Sequence, residues 1–449
     1  MASTIPLSLF LALLFFFSPS IAQPVKRRAL LPVTKDAATK QYITVISQRT
    51  PLVPVKLTVD LGGRFLWVDC QDNYVSSTLT PVICDSMFCR LSQAGACSGN
   101  CTGSSPLHPN KDCFCSHLAY NPFSRTSTGT ELNEDVITLQ DTDGSTLGPF
   151  LKPGKVVFGC ADASILKSLA KGVKGIAGLG NGYVSIPYQL IYRFSRPRKI
   201  GLCLSSSTTS PGVIFFGYPE PYNFLPGIDV SKNLLYTPLL TNPISTAGSY
   251  FGGETSTDYF IGVKSIKVNG ELVLINNLLL QINKETGKGG TKISTVDPYT
   301  VLETSIYKAL VKAFTHALTI PRVKKVAPFE MCYKRTSLPS TRVGPGVPTI
   351  EFVLQGKNST ETPSFLIYGA NSMVAVTDEV LCLGFVNGGE DQTTSIVIGG
   401  HQIEENLVQI DIDNKRVGFS NSLLFRQTTC ANFNFGSKQG QELGGLEIM

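Results

Sequence analysis

The sequence predicts an all-β protein of two lobes with a few short helices. The chain has 449 residues, which is more than one ordinary domain holds. Its composition is 42% hydrophobic and only 16% charged, with 41 Gly and 27 Pro scattered along the chain, a pattern typical of strands joined by many turns. One pattern also occurs twice: a strand ends at an acidic turn, and an apolar run into glycines follows about a hundred residues later.

The two ends of the chain are predicted to lie outside the lobes. Residues 1–22 are typical of a secretory signal, with an apolar run over Leu7–Phe17 and small residues before Gln23. That run is too short to span a membrane, and no later stretch reaches the roughly 18 apolar residues required. Residues 23–40 are predicted to form a solvated N-terminal arm and residues 431–449 a flexible tail. The mature protein is therefore expected to be soluble and secreted.

Between these ends we expect an N-terminal β-lobe over residues 41–222 and a C-terminal β-lobe over residues 223–430. The Pro-rich segment 219–227 marks the boundary between them. The turn Asn269-Gly270 is a strong hairpin signal. The sequence predicts strands over Gln41–Val45, Val53–Val59, Glu131–Leu139, Val156–Cys160, Val213–Gly217, Tyr259–Val268 and Leu272–Leu279, and helices over Ser185–Tyr192 and Thr304–Leu318.

The 12 cysteines fit a secreted protein. An even number in such a chain indicates six disulfides more often than a metal site, although spacing alone does not give their connectivity. Zinc is the alternative for the dense cluster at 84–115, but no Cys-x-x-Cys pair is present, so we expect no metal and no cofactor. The cysteines are Cys70, Cys84, Cys89, Cys97, Cys101, Cys113, Cys115, Cys160, Cys203, Cys332, Cys382 and Cys430.

Two further surface features follow from the sequence. Asn100-Cys-Thr102 and Asn358-Ser-Thr360 are N-glycosylation sequons. The net charge of +6 is spread along the chain, and no basic stripe with interleaved aromatics suggests nucleic acid.

The stretch Leu57–Cys70 organises the first lobe. It predicts a strand that delivers Asp60 to a tight Gly-Gly turn, followed by a second strand that carries Trp67. The later glycine-dense segment Lys174–Gly180 suggests backbone packed closely under another loop. A dinucleotide site is the alternative for these glycines, but the strand, helix and acidic residue that it requires are missing.

Three segments in this order resemble pepsin-type aspartic proteases, particularly the plant branch: Val59–Val68, Phe158–Gly180 and Ile398–Phe419. The resemblance implies two β-lobes that face each other across a cleft. The sequences of Asp60–Cys70, Gly290–Tyr307 and the segment around Cys430 are similar to those of a non-catalytic group within that fold. This group comprises the extracellular dermal glycoproteins, xyloglucan-specific endoglucanase inhibitors and nectarin IV, with xylanase inhibitors and basic 7S globulins more distant.

Aspartic proteases need two carboxylates that share one proton. Asp60 stands at the first of these positions, but Leu61 replaces the hydroxyl residue that follows it. At the second position the family spacing places Ser294, and Asp297 is the alternative second acid, three residues late and followed by Pro298. We therefore expect no catalytic residue: Asp60 and Ser294 are vestigial, and Asp60 is a buried carboxylate satisfied by the backbone of its own turn.

The resemblance implies an apoplastic or cell-wall glycoprotein that blocks microbial glycoside hydrolases, chiefly family 12 glucanases and less so family 11 xylanases. It implies disulfides Cys203–Cys430 and Cys332–Cys382, with four more in the first lobe. It also implies that basic loops of the second lobe enter the target's cleft, with Arg322 and Arg426 as the inhibitory side chains. We expect a monomer that contacts neither nucleic acid nor membrane.

Two alternatives remain open at this point. One is an active acid protease that uses Asp60 together with Asp297. The other is a storage or ligand-binding protein like the 7S globulins.

Overall fold

The computed structural model describes residues 28–71, 73–105, 110–152, 154–194, 197–217, 220–225, 227–248, 254–358 and 360–437. Strands account for 41% of the chain and helices for 14%, so the prediction of a mainly-β fold is confirmed. The predicted signal at 1–22 lies outside the described residues. Within the described part of the chain, no helix combines the length and the apolar character needed to cross a membrane.

In the first half of the chain the strands are β1 (Arg28–Lys35), β2 (Tyr42–Gln48), β3 (Val53–Asp60), β4 (Trp67–Asp69), β5 (Thr80–Pro81), β6 (Ala96–Gly99), β7 (Cys113–Asn121), β8 (Thr126–Thr138), β9 (Gln140–Thr142), β10 (Thr146–Phe150), β11 (Gly154–Ala161), β12 (Gly175–Gly178), β13 (Lys199–Cys203) and β14 (Gly212–Gly217).

In the second half they are β15 (Asn223–Leu225), β16 (Ile228–Asp229), β17 (Leu235–Leu240), β18 (Tyr259–Ile261), β19 (Val263–Val268), β20 (Glu271–Leu272), β21 (Thr291–Ile293), β22 (Thr300–Leu302), β23 (Arg322–Val323), β24 (Cys332–Lys334), β25 (Ser340–Thr341), β26 (Gly344–Pro345), β27 (Ile350–Leu354), β28 (Ser364–Ile367), β29 (Met373–Ala375), β30 (Val380–Leu383), β31 (Phe385–Asn387), β32 (Ile396–Ile398), β33 (Leu407–Asp411), β34 (Arg416–Phe419) and β35 (Asn434–Ser437).

The helices are short and lie between strands. The predictions at 185–192 and 304–318 are confirmed by two of them, and the longer one begins where the Glu303 carboxylate accepts from the backbone N–H of Ser305 and Ile306. The α-helices are α1 (Met87–Ser92), α2 (Ile186–Phe194), α3 (Thr304–Ala317), α4 (Gly369–Ser372) and α5 (Gly400–Ile403), and the 3₁₀ helices are Ala163–Leu166, Val230–Asn233, Asn277–Leu280, Arg335–Ser337, Leu423–Arg426 and Cys430–Asn432.

A central sheet joins the two halves of the chain. Its strands run in the order β9-β1-β14-β13-β33-β34-β17, and every neighbouring pair in it is antiparallel. Strands β13 and β33 belong to different halves, and the disulfide Cys203–Cys430 lies at the end of β13. The backbone hydrogen bonds of one sheet therefore hold the two lobes together.

The N-terminal arm predicted over residues 23–40 is wrong for Arg28–Lys35, and residues 23–27 lie outside the described residues. Residues Arg28–Lys35 form β1, because Leu30, Leu31 and Val33 are each only 1% exposed and the backbone pairs with β14. Burial of this apolar run outweighs the solvation suggested by the neighbouring basic residues.

The flexible tail predicted over residues 431–449 is likewise wrong at its start. Phe433 is 3% exposed, and β35 pairs in parallel with β10. Residues 438–449 lie outside the described residues. Both ends of the described part of the chain therefore add strands to sheets of the first half.

The prediction of strands around the Asn269-Gly270 hairpin holds in part. Both turn residues have positive φ, and β19 pairs with β20 as expected. The expected strand Leu272–Leu279 is wrong, because Asn276 Oδ1 accepts from the Leu278 N–H at 3.0 Å and starts a 3₁₀ helix there. The expected strand Tyr259–Val268 is divided at Gly262, where the Gln355 side chain leaves no room for a Cβ atom.

Six disulfides are present and no cysteine is free. The two pairs implied by the resemblance, Cys203–Cys430 and Cys332–Cys382, are confirmed. The remaining four lie in the first half: Cys70–Cys160, Cys84–Cys97, Cys89–Cys115 and Cys101–Cys113.

Candidate functional site

Asp60 ends strand β3 and faces the cleft between the lobes. Its side chain is only 9% exposed, and Oδ1 accepts from the Gly62 N–H at 2.9 Å. Its main-chain oxygen accepts from Gly63 at 3.1 Å and from Leu179 at 2.8 Å. The turn therefore gives the buried carboxylate a backbone N–H donor at Gly62, and the main-chain oxygen is satisfied separately.

The two glycines after Leu61 are required by what approaches them. A Cβ atom on Gly62 would collide with the Asp258 carboxylate, and one on Gly63 would lie 2.8 Å from the Gly178 Cα. The first contact comes from the opposite half of the chain and the second from β12. A tight approach on both faces therefore explains the Gly-Gly pair at this turn.

Strand register places Ser294 at the position equivalent to Asp60. In the first lobe β12 pairs in parallel with β3 and antiparallel with β4, and in the second lobe β32 pairs in the same way with β21 and β22. When the two sets of strand pairings are aligned, Asp60 is equivalent to Ser294 and Gly178 is equivalent to Gly399. The spacing from Asp60 to Trp67 equals the spacing from Ser294 to Val301, so the equivalence requires no insertion.

Thr295, the next residue, fastens the second lobe to the first. Its Oγ1 donates to the Val59 carbonyl at 2.9 Å and accepts from the Leu61 N–H at 3.0 Å. Leu61 is the equivalent residue of the first lobe, and its side chain has no hydroxyl that could hydrogen-bond to the second lobe. At this turn the side-chain hydrogen bonds between the lobes are therefore made by Thr295 and not by Leu61.

Sequence reasoning missed Asp258 and Lys292, the ion pair beside Asp60. Lys292 Nζ lies 3.1 Å from Asp258 Oδ2, and the two side chains are 21% and 15% exposed. The register of β18 on β21 makes this pair equivalent to Gln41 and Thr58, where the Thr58 hydroxyl donates to Gln41 Oε1 at 3.1 Å. The ion pair therefore replaces a neutral hydrogen bond of the other lobe. Once Ser294 is matched to Asp60, the same alignment of the two lobes matches Asp258 with Gln41 and Lys292 with Thr58, and this match could have identified the ion pair from the sequence.

The charges around Asp60 shift its protonation. Burial, followed by the nearby Asp258 carboxylate, raises the pKa of Asp60 to about 6. Burial acts to lower the pKa of Lys292, but the Asp258 carboxylate acts in the opposite direction, and the pKa of Lys292 is raised overall. Lys292 is therefore a permanent cation in the cleft at neutral pH, where Asp60 is ionised.

Asp297, the alternative second acid, is engaged with Ser294 instead. Ser294 Oγ donates to Asp297 Oδ2 at 3.0 Å and accepts from the Asp297 N–H at 3.2 Å. The carboxylate whose charge raises the pKa of Asp60 is that of Asp258. Asp258 is held by Lys292 and Asp297 by Ser294, so the three carboxyl groups described in the cleft have unlike surroundings and form no symmetric pair sharing one proton.

The cleft itself is a polar cavity of about 230 Å³ lined by both lobes. The hairpin of β7 and β8 contributes Tyr120 and Arg125 on one side. Among the described residues, the one group of side chains spaced to hold a metal is Cys84, Cys97 and Cys113, and all three are in disulfides. A disulfide sulfur is not the thiolate that binds zinc.

Arg322 lies away from this cleft, at the start of β23. It pairs with Tyr333 of β24, and its Nη1 lies 3.2 Å from the Met331 sulfur. Residues 321–328 are all exposed, and Arg322 forms no ion pair with any described residue.

Arg426 is the last residue of the 3₁₀ helix Leu423–Arg426 and is exposed. Its neighbour Phe425 is 45% exposed and packs edge-on against Tyr368 at 4.9 Å between ring centroids. Tyr368 precedes α4, which leads into β29. Arg322 instead lies on β23, an edge strand of the sheet β23-β24-β30-β29.

The two predicted glycosylation sites are accessible. Asn100 and Asn358 are both exposed, and each accepts from a backbone N–H close by in the chain. Glycosylation at these sites stays a prediction.

Two lobes joined through a central sheet, with a cleft at equivalent turns of each lobe, define a bilobal pepsin-like protein. Family models support this directly. The model described as "Xylanase inhibitor N-terminal" matches residues 42–218, and the one described as "Xylanase inhibitor C-terminal" matches residues 258–421.

Relatives match along nearly the whole chain. "Probable aspartic proteinase GIP2" of Nicotiana benthamiana is 52% identical over 91% of this chain and 92% of its own length. "Gamma conglutin 1" of Prunus dulcis is 42% identical over 91% and 90%, respectively. The solved structure "Crystal structure of edgp" is 51% identical with a TM-score of 0.85, covering 91% of this chain and 98% of that one. The soybean basic 7S globulin structure is 32% identical with a TM-score of 0.75, covering 90% and 98%. The chain therefore belongs to the xylanase-inhibitor family of pepsin-like proteins.

Proposed function

We propose that this protein is a non-catalytic, secreted inhibitor of microbial cell-wall glycoside hydrolases, with family 12 glucanases as the main targets and family 11 xylanases as secondary ones. Membership in the xylanase-inhibitor family is the observation that carries the proposal. The serine in register with Asp60 supports the loss of protease activity, and six disulfides are typical of a secreted protein. Its place of action is the apoplast or cell wall.

The mechanism follows from the chemistry of the target. Such hydrolases cut glycosidic bonds with two carboxyl groups that flank an open cleft. A guanidinium binds a carboxylate through two parallel hydrogen bonds and remains charged at any relevant pH. Arg322 is exposed and its charge is unpaired within the described chain, so no internal ion pair has to break before it engages a target.

The position of Arg322 also reduces the conformational entropy that its loop would lose on binding a target. It stands on a strand whose partner β24 carries Cys332, and Cys332 is bonded to Cys382 of β30. A rigid loop loses less conformational freedom on binding than a flexible one. Arg426 and the exposed Phe425 ring form the second inhibitory element.

The test is inhibition of a purified family 12 xyloglucanase, with a family 11 xylanase assayed in parallel. We expect wild-type protein to inhibit the former, and Arg322→Ala to raise the inhibition constant about 10- to 100-fold. Arg322→Lys keeps the charge but loses the planar fork, so we expect an intermediate effect. Arg426→Ala is expected to act in the same direction as Arg322→Ala.

Arg90→Ala is the matched control, because Arg90 is an exposed arginine of the first lobe. We expect it to leave inhibition unchanged. No inhibition of any family 12 or family 11 enzyme by the wild type would contradict the proposal, as would equal effects of the Arg90 and Arg322 variants.

An acid protease is the second candidate, because a close relative bears the name "Probable aspartic proteinase" and Asp258 supplies a second carboxyl group beside Asp60. Its test is pepstatin-sensitive peptide cleavage at acidic pH. We expect none, because Lys292 neutralises Asp258. Cleavage that Asp60→Asn abolishes would establish the protease instead.

A further inference from the structure

A second cavity lies between the lobes and shares Arg64 and Thr257 with the cleft at Asp60. Its volume is about 380 Å³, which is within the usual size of small-ligand sites. The first lobe contributes residues around Tyr183, and the second contributes Ile412 and Lys415.

The cavity presents an aromatic platform. Tyr183 is 49% exposed, although it is a large ring, and it meets Tyr188 edge-to-face at 4.8 Å between centroids. Tyr188 therefore fixes the orientation of the Tyr183 ring while one part of that ring stays open to a ligand.

The charged side chains that line this cavity are cationic. Arg64, Arg198 and Lys415 line it, and no Asp or Glu is among the described residues that do so. Arg64 is paired with Glu254 and Arg198 with Asp413, so Lys415 is the lining cation without an ion-pair partner among the described residues.

The neighbouring cleft has a different balance. It is lined by three Asp residues and by Arg64, Arg125 and Lys292, so its formal charges cancel. The second cavity keeps the excess positive charge of Lys415 and is therefore the better place for an anionic ligand.

Arg198 is oriented by its neighbours, whereas Lys415 is unpaired within the described part of the chain. Asp413 accepts from the Arg198 backbone N–H at 2.8 Å and from Nε at 2.6 Å, and the guanidinium carbon lies 5.7 Å from the centroid of the Tyr188 ring. Lys415 is exposed and forms no ion pair with the described residues. One oriented fork and one unpaired ammonium can together meet carboxylates of a ligand.

Neutral hydrogen-bonding groups complete the lining. Asn181 and Gln93 bring side-chain amides, and Thr241 and Thr255 bring exposed hydroxyls. Such groups match a ligand with many hydroxyls, and the tyrosine ring matches the apolar face of a sugar.

We infer that this interlobe cavity binds an acidic oligosaccharide, a short chain of uronic-acid sugars, with Tyr183 stacking on a sugar ring and Arg198 and Lys415 binding its carboxylates. This site is separate from the hydrolase-inhibiting loops, so its ligand and the proposed inhibition are tested independently.

The test is calorimetric titration of the full-length secreted protein with trigalacturonate, and with cellotriose as a neutral probe of similar size. We expect trigalacturonate to bind more tightly than cellotriose. Tyr183→Ala is expected to weaken binding about tenfold, whereas Tyr183→Phe keeps the ring and binds like wild type. Lys415→Ala is expected to weaken trigalacturonate about fivefold and leave cellotriose unchanged.

Lys167→Ala and Phe150→Ala are controls, because both side chains are exposed in the first half of the chain and neither lines the cavity. Tyr183 and Lys415 are exposed as well, so their variants are expected to fold. Absence of trigalacturonate binding, equal affinity for the two probes, or equal losses in the control variants would overturn the inference.

Discussion

At the scale of single residues, one buried carboxyl group governs how the cleft responds to pH. The unfolded chain ionises Asp60 near 3.8, whereas burial and then Asp258 raise its folded pKa to about 6. A raised pKa means that the fold favours the protonated form. The stability contributed by this group is therefore complete below about pH 4 and is lost as the pH rises through 6.

Asp60→Asn is predicted to make the protein more stable than wild type at neutral pH. Asparagine cannot ionise, so the cost of burying the charge disappears, and the gain approaches about 3 kcal/mol above pH 6. Near pH 4 the two proteins should have nearly equal free energies of unfolding. Urea unfolding at several pH values measures the difference. Asp391→Asn, at an exposed site, is the control, and a gain that does not change with pH would contradict the prediction.

Motifs located Asp60 and Ser294 because the neighbouring glycines and apolar runs are local in sequence. The Asp258–Lys292 pair escaped because neither residue belongs to such a motif. Asp258 only reaches the cleft through the pairing of β18 with β21, which no short-range pattern reveals. A charged residue outside any motif is by default predicted to be solvated, but Asp258 and Lys292 instead pair with each other in the cleft.

At the scale of elements, the cross-links and the central sheet share the task of joining the lobes. Cys203 and Cys430 are separated by 227 positions, the widest disulfide span in the chain, and both are fully buried. Closing so long a loop restricts the unfolded chain more than closing a short one. The opposite extreme is Cys101–Cys113, with a separation of 12.

Replacing both Cys203 and Cys430 by Ser is predicted to lower the free energy of unfolding by up to about 5 kcal/mol. The same change at Cys101 and Cys113 is predicted to cost about 3 kcal/mol, since its loop is short. Denaturant unfolding of the two double variants, without reductant, compares them. The larger loss should fall on the interlobe pair, and the reverse order would contradict the loop-length argument.

At the scale of the whole molecule, the first and last described strands are integral to the fold. Strand β1 connects β9 to β14 in the central sheet, and β35 extends the same assembly through β10. The segment 41–430, which the sequence suggests as the complete pair of lobes, omits both.

A fragment of residues 41–430 is therefore predicted to unfold without a sharp cooperative transition, because it loses the buried β1 side chains and exposes an edge of β14. A fragment of residues 28–437 is the matched control and is expected to unfold like the full secreted chain. Thermal unfolding followed by circular dichroism tests both. Equal transitions for the two fragments would show that the terminal strands are dispensable.

The overall architecture was predictable because its markers are strong: alternating apolar runs, glycine turns and an ordered set of three family motifs. The ends of the lobes were not, because Leu30–Val33 is too short and too close to basic residues to stand out as a strand. Strand β35 is also marked by little except Phe435 and the preceding Phe433. The burial of Phe433 depends on Phe215 and Phe224, which are far away in the chain.

The ion pair at Asp258 and Lys292 also bears on attempts to engineer a peptidase from this scaffold. Lys292 and Ser294 lie on the same side of an extended segment, and both line the cleft. An aspartate introduced by Ser294→Asp would gain a neighbouring ammonium that holds it ionised, while Asp60 keeps its proton to about pH 6. Lys292 would hold the new carboxyl group ionised, so the two groups would not share their proton evenly. Engineering a peptidase would therefore call for a neutral side chain at position 292 together with Ser294→Asp.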